Sequence, residues 1–151
     1  MTSPLPASST DRRNRTGIRG PFGLKPDAGA GLFAIRLSNG SEAWVARVSA
    51  CGNKPSCSPA LSAPSAAIPG AVFSGSLDGH FRAYSTTDGR VLWDFDTAKE
   101  YTTANGVRAS GGSIDVGGPA IANGVVATTS GYGQWGGMRG NVLLAFSVEG
   151  R

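Results

Sequence analysis

The segment Ser130-Gly-Tyr-Gly-Gln-Trp-Gly-Gly137 places aromatic side chains between glycines. Bare glycines let backbone amides approach a ligand closely, and the aromatic rings offer a stacking or hydrogen-bonding surface. A second glycine stretch, Gly111-Gly-Ser113, precedes Asp115, the one acid nearby. Asp115 has two readings: a group that takes a proton or ligates calcium, or a solvated loop carboxylate. Asp78 and Asp88 sit just before turn glycines and read as turn formers. His80 is the single histidine and has no Cys, Asp or Glu at ligand spacing, so it reads as an ordinary strand residue, and no metal site is expected in this chain. Cys51 and Cys57 flank a short Pro-containing loop. An even count without further ligands favours a disulfide in an oxidising compartment over a metal site, with two free thiols as the reading for a reducing one.

The elements that must position these residues come from a repeat. Gly31-Leu-Phe-Ala-Ile-Arg-Leu-Ser-Asn-Gly-Ser-Glu-Ala-Trp44 aligns with Gly79-His-Phe-Arg-Ala-Tyr-Ser-Thr-Thr-Asp-Gly-Arg-Val-Leu-Trp93. Gly140-Asn-Val-Leu-Leu-Ala-Phe146 begins the same way. The anchor alanines Ala34, Ala83 and Ala145 lie 49 and 62 residues apart, a spacing that suits four-stranded propeller blades with variable loops. The expected fold class is therefore all-β, a partial β-propeller. Leu32–Leu37 and Glu42–Val48 read as the last two strands of one blade. Ser62–Ile68, Ala71–Ser76, His80–Tyr84 and Arg90–Phe95 read as a complete second blade, with Pro-Gly and Asp-Gly turns between them. Asp96–Val116 reads as a polar connector, and Pro119–Ala122, Val125–Ser130 and Val142–Phe146 as a third blade of three strands. Closed propellers use about 4–8 blades, so the chain is expected to be the C-terminal piece of a larger ring whose missing N-terminal blades lie upstream.

Charge adds little. The net +4 resides mostly in residues 1–30, where Arg12, Arg13, Arg15, Arg19 and Lys25 face only Asp11 and Asp27. Residues 31–151 hold nine basic and eight acidic side chains. The first thirty residues read as a disordered basic tail and residues 31–151 as the propeller piece, with no nucleic-acid partner. No apolar run approaches the roughly 20 residues of a membrane span, and no apolar signal-peptide core follows Met1.

The stretch from Phe73 to Phe95, Phe-Ser-Gly-Ser-Leu-Asp-Gly-His-Phe-Arg-Ala-Tyr-Ser-Thr-Thr-Asp-Gly-Arg-Val-Leu-Trp-Asp-Phe, resembles the blade motif Ala-x-Asp-x-x-Thr-Gly-x-x-x-Trp of the quinoprotein alcohol dehydrogenase family. Ser58-Pro-Ala60, Asn105-Gly-Val107, Gly111-Gly-Ser113 and Ser130-Gly-Tyr-Gly133 resemble the C-terminal end of the polyvinyl alcohol dehydrogenases within it. That resemblance implies an eight-bladed propeller holding pyrroloquinoline quinone (PQQ) with calcium, which oxidises an alcohol in the periplasm and passes electrons to a cytochrome c. It implies that Trp44 and Trp93 dock between neighbouring blades, and that Gly131 and Tyr132, with Gly112 and Ser113, line the quinone pocket. No Cys-x-x-Cys-His haem motif is present. Most of the catalytic constellation would lie upstream, so the chain is expected to be inactive alone and its catalytic residue is not identified. The alternative is a non-enzymatic propeller of the same repeat, acting as an assembly scaffold. For the basic tail, limited trypsin digestion is expected to cut first at Arg12, Arg13, Arg15 or Arg19; earlier cleavage within residues 71–95 would contradict it.

Overall fold

A computed structural model describes residues 18–19, 23–24, 29–133 and 136–148. Every regular element among them is a strand. No helix of the described residues is long and apolar enough to cross a membrane. Most of residues 1–30 lies outside the described residues, and with it the expectation of a disordered tail. That region contributes the short pair β1 (Ile18–Arg19) and β2 (Gly23–Leu24), and Ala30, which packs with Ala60 and Leu77.

The first blade is represented by β3 (Gly31–Ile35) and β4 (Glu42–Arg47). The second is a complete antiparallel meander of β5 (Ala66–Ile68), β6 (Ala71–Gly75), β7 (His80–Ser85) and β8 (Val91–Asp96). Next comes a hairpin, β9 (Glu100–Thr102) with β10 (Arg108–Ser110). The third blade has three strands, β11 (Ala120–Ala122), β12 (Val125–Ser130) and β13 (Val142–Ser147). The architecture is an all-β partial propeller, as the repeat requires. The β9–β10 hairpin corrects the reading of Asp96–Val116 as a plain connector. Thr103 closes its turn by donating both its backbone N–H and its hydroxyl to Val107 O, at 3.0 and 2.7 Å.

Register makes the repeat exact. Ala66, Ala67 and Ile68 oppose Phe73, Val72 and Ala71, as Ala120, Ile121 and Ala122 oppose Ala127, Val126 and Val125. Ala83 opposes Phe73 while Ala145 opposes Ala127. Ala34 pairs with Trp44 and Ala83 with Trp93, and in both pairs the register shifts immediately after the alanine. The shared bulge keeps each tryptophan aimed at the next blade.

The two tryptophans fasten successive blades. Trp44 Nε1 donates to Thr86 O at 3.0 Å, and its ring lies so close to Gly89 that a Cβ there would come within 2.5 Å of it. Trp93 meets Phe146 of the third blade edge-on at 4.9 Å between centroids. Around that contact Phe73, Phe81, Ile114 and Val126 form the main apolar core, with Phe81 fully buried. Aromatic pairs of this kind contribute about 0.5–1.5 kcal/mol beyond the area they bury.

One register match leaves a loose end. In the second blade Ser65 Oγ donates to Ser74 Oγ at 3.1 Å. The third blade has Thr128 in the place of Ser74 and Pro119 in the place of Ser65, so the buried Thr128 Oγ1 has no partner. A buried unsatisfied hydroxyl costs about 1–3 kcal/mol. The isosteric change Thr128→Val is therefore expected to raise unfolding stability by about 1 kcal/mol in urea denaturation; a loss of stability would show that the hydroxyl is satisfied.

Candidate functional site

The glycine stretches converge where the second and third blades meet. Residues 110–114 run between the end of β6 and the loop that joins β12 to β13. Ile114 N–H donates to Ser76 O at 3.1 Å, Gly131 N–H to Ser113 O at 2.9 Å, and Ser113 N–H to Met138 O at 2.9 Å. Gly140 N–H closes the base of the loop onto Gly131 O at 2.9 Å. The structure thus gathers Gly112, Ser113 and Gly131 into one interlocked seam.

Their polar atoms serve that seam. Ser113 Oγ donates to Leu77 O at 2.7 Å and accepts from Met138 N–H at 2.9 Å. Gly112 N–H donates to Ser130 Oγ at 2.8 Å, whose hydroxyl also meets Thr97 Oγ1 at 2.7 Å. Thr97 donates onward to Gly79 O at 2.7 Å. All of these hydroxyls are buried. The glycines are required for close approach. A Cβ at Gly112 would lie 2.2 Å from Met138 O, and one at Gly131, whose φ is +90°, would lie 2.1 Å from Gly140 Cα.

Tyr132 is different. It is half exposed, and its hydroxyl donates to Asn141 O at 3.0 Å, which fixes the ring across the mouth of the loop. Asp115 lies behind that turn. It is 6% exposed, which overturns the solvated-carboxylate reading. Ser62 Oγ donates to its Oδ1 at 2.5 Å, and a Cβ on Gly133 would sit 3.7 Å from Oδ2. Gln134 and Trp135, the rest of the aromatic-glycine segment, lie outside the described residues.

At this seam the half-exposed Tyr132 is the aromatic surface presented to solvent beside Gly112, Ser113 and Gly131. Among the described residues no three His, Cys, Asp or Glu side chains cluster as a metal ion would need.

Of the residues assigned structural roles, Trp44 and Trp93 lie at the blade seams, and Cys51 is bonded to Cys57. Three features were missed from the sequence. The buried hydroxyl pair Thr97 and Ser130 is one; its signal is that Ser130 shares the register of Ser76, itself a buried hydroxyl. The second is an ionic cluster on β7 and β8. His80 Nδ1 lies 2.6 Å from Asp94 Oδ1, and Arg82 binds Asp94 Oδ2 at 3.0 Å and Asp78 Oδ2 at 2.8 Å. Burial works against the Arg82 charge, but its hydrogen bond to Asp78 and the nearby carboxylates hold its pKa above the ordinary value. Asp78 is thus an ion-pair partner as well as a turn former.

The third is an apolar groove of about 610 Å³ between the blades, lined by Phe73, Trp93, Phe95, Val126, Phe146 and Val148 among others. None of Gly112, Ser113, Gly131 and Tyr132 lines it.

The seam predicts unequal sensitivities. Gly131→Ala is expected to cost at least about 2 kcal/mol of stability, because both its φ and its backbone contact forbid a Cβ. Tyr132→Ala is expected to cost less than about 1 kcal/mol. Equal losses in thermal or urea unfolding would contradict the division between a structural glycine and an exposed ring.

No family model matches the chain. It is 46% identical to a polyvinylalcohol dehydrogenase of Pseudomonas sp over 133 residues, which covers 80% of this chain and 21% of that protein. It is 42% identical over 135 residues to a polyvinylalcohol dehydrogenase of Sphingopyxis sp. (strain 113P3), with the same coverage. The chain spans about a fifth of the length of these relatives. The resemblance carried by the blade motif is thereby shown: across four-fifths of its length this chain is similar to the polyvinylalcohol dehydrogenases.

Proposed function

We propose that this chain forms part of a PQQ-dependent alcohol dehydrogenase, acting on polyvinyl alcohol or a related alcohol and passing electrons to a cytochrome c. The 46% identity over 133 residues carries this reading. When bound, PQQ with calcium would supply the two-electron acceptor for the alcohol. The chain's own part is to present one wall. Tyr132 offers a ring face, the hydrogen bond to Asn141 O orients it, and Gly112, Ser113 and Gly131 hold the turn beneath it. Asp115, bonded to Ser62 and beside Gly133, is an acid next to that wall. A ligand on the axis of a propeller is enclosed by all of its blades, so the 151-residue chain alone leaves the quinone open to water and does not turn over. The Cys51–Cys57 disulfide agrees with an oxidising compartment such as the periplasm.

One observation favours the scaffold reading instead: Ser113 and the Gly112 and Gly131 amides already have protein partners, which leaves few donors for a ligand. The two readings separate in a polypeptide of the relatives' full length that carries this chain, reconstituted with PQQ and calcium. The dehydrogenase reading expects quinone binding and reduction of a dye acceptor by alcohol. It also expects Tyr132→Ala to weaken quinone binding roughly tenfold. Neither binding nor dye reduction would favour the scaffold. Tight quinone binding and turnover by residues 1–151 alone would overturn the incomplete-wall argument.

A further inference from the structure

The segment that follows Cys57 supports the seam from behind. Ser58, Pro59 and Ala60 are almost wholly buried, yet they belong to no strand, so no ladder fixes where they lie. Ala60 O accepts the N–H of Leu77 at 2.9 Å, and Leu77 O in turn accepts the Ser113 hydroxyl at 2.7 Å. Ser62 Oγ donates to Asp115 Oδ1. Residues 58–62 thus hold both Leu77 and Asp115. Ser113, bonded to the first and two residues before the second, receives the N–H of Gly131 on its carbonyl and that of Met138 on its hydroxyl. Those two amides lie on either side of Tyr132 in the loop that carries it.

The turn at residues 51–57 sets where that segment begins. Besides the Cys51–Cys57 bond, it is closed by Lys54 N–H to Cys51 O at 3.3 Å and by Cys57 N–H to Lys54 O at 3.4 Å. Both are longer than ordinary N–H to carbonyl bonds, and residues 52–56 are exposed to water. Against them stands Ser56, held at a φ of +55° in the left-handed region that a serine seldom adopts. The covalent bond is therefore what keeps the turn closed. Its two sulfurs are unequally placed, since Cys57 is 3% exposed whereas Cys51 is partly open at the surface.

We propose that the Cys51–Cys57 disulfide is a reducible latch on the Tyr132 loop, opened by a thiol that attacks Cys51. The thiolate of a dithiol bonds to Cys51 Sγ, the bond between the two cysteine sulfurs breaks, and Cys57 leaves and takes a proton. The second thiol of the reagent then displaces Cys51, which is protonated in turn. Two electrons and two protons have passed to the protein, and the dithiol leaves as a disulfide. With the turn open, Ser56 relaxes, residues 58–62 lose their upstream anchor, and Leu77, Ser113 and Asp115 lose their backing. The loop that carries Tyr132 is thus fixed only where the disulfide persists. The latch needs no quinone, so it stands or falls apart from the dehydrogenase reading.

Hydrogen exchange of the 151-residue chain, oxidised and after reduction by dithiothreitol, tests the latch. The amides of Leu77, Ser113, Gly131 and Met138 are expected to exchange at least about tenfold faster in the reduced chain, and those of the β12–β13 ladder less than about twofold faster. Cys51→Ser leaves the buried Cys57 in place and is expected to show the same pattern without reductant. Brief treatment with glutathione, quenched by iodoacetamide, is expected to leave the glutathionyl group on Cys51, as read by tandem mass spectrometry. Unchanged exchange at the seam, once alkylation shows both thiols to be free, would overturn the proposal. So would equal acceleration in the β12–β13 ladder, which would make the disulfide a staple of the whole fold. A disulfide that dithiothreitol opens only in denaturant, or glutathione found on Cys57, would also defeat it.

Discussion

The contact on which the rest of the structure depends is the docking of one blade's tryptophan onto the next blade. Each blade here is a thin antiparallel meander, and a lone meander of two to four short strands cannot bury enough apolar surface to hold its shape. Trp93 solves this for the second and third blades by placing its ring among Phe81, Phe95 and Phe146. Trp44 does so for the first and second with a backbone hydrogen bond at Thr86. The bulge after Ala34 and Ala83 is the backbone device that makes the same aim repeat.

The candidate site depends on that docking. Once the second and third blades are held face to face, the segment at residues 110–114 has strands on either side and spends its amides and hydroxyls on both. The seam is therefore held by hydrogen bonds to both blades. Tyr132, hung on its outer side, is tied to the same structure by the hydrogen bond from its hydroxyl to Asn141 O.

Much of this was legible in the sequence. The Pro69-Gly70, Asp78-Gly79 and Asn123-Gly124 turns bracket their strands because each needs a residue at positive φ, and Gly70, Gly79, Asn123 and Gly124 all have it. The tryptophans stood out by repeating at one distance from a turn glycine. The β9–β10 hairpin did not stand out, because its strands are three residues long and one holds Glu100 and the other Arg108. The partnership of His80 and Arg82 with Asp94 was hidden by sequence distance, since only the register of β7 on β8 brings them together. The burial of Asp115 depends on Ser62, 53 residues away, which no local pattern announces. The glycines at 112 and 131 were read as openings for a ligand; the same bareness is used by backbone from Met138 and Gly140. Glycine in a sequence signals close approach without saying what approaches.

The two blades that share a strand register differ in one connection. Four residues join β6 to β7, whereas eleven join β12 to β13. The extra length begins and ends at the Gly131–Gly140 backbone clamp, so the strands on either side keep the spacing they have in the second blade. Insertions between such a clamp and a loop tip are paid for in solvent, outside the packed sheet. Changes of sequence and length can therefore accumulate between Gly131 and Gly140 while β12 and β13 keep the register they share with the second blade.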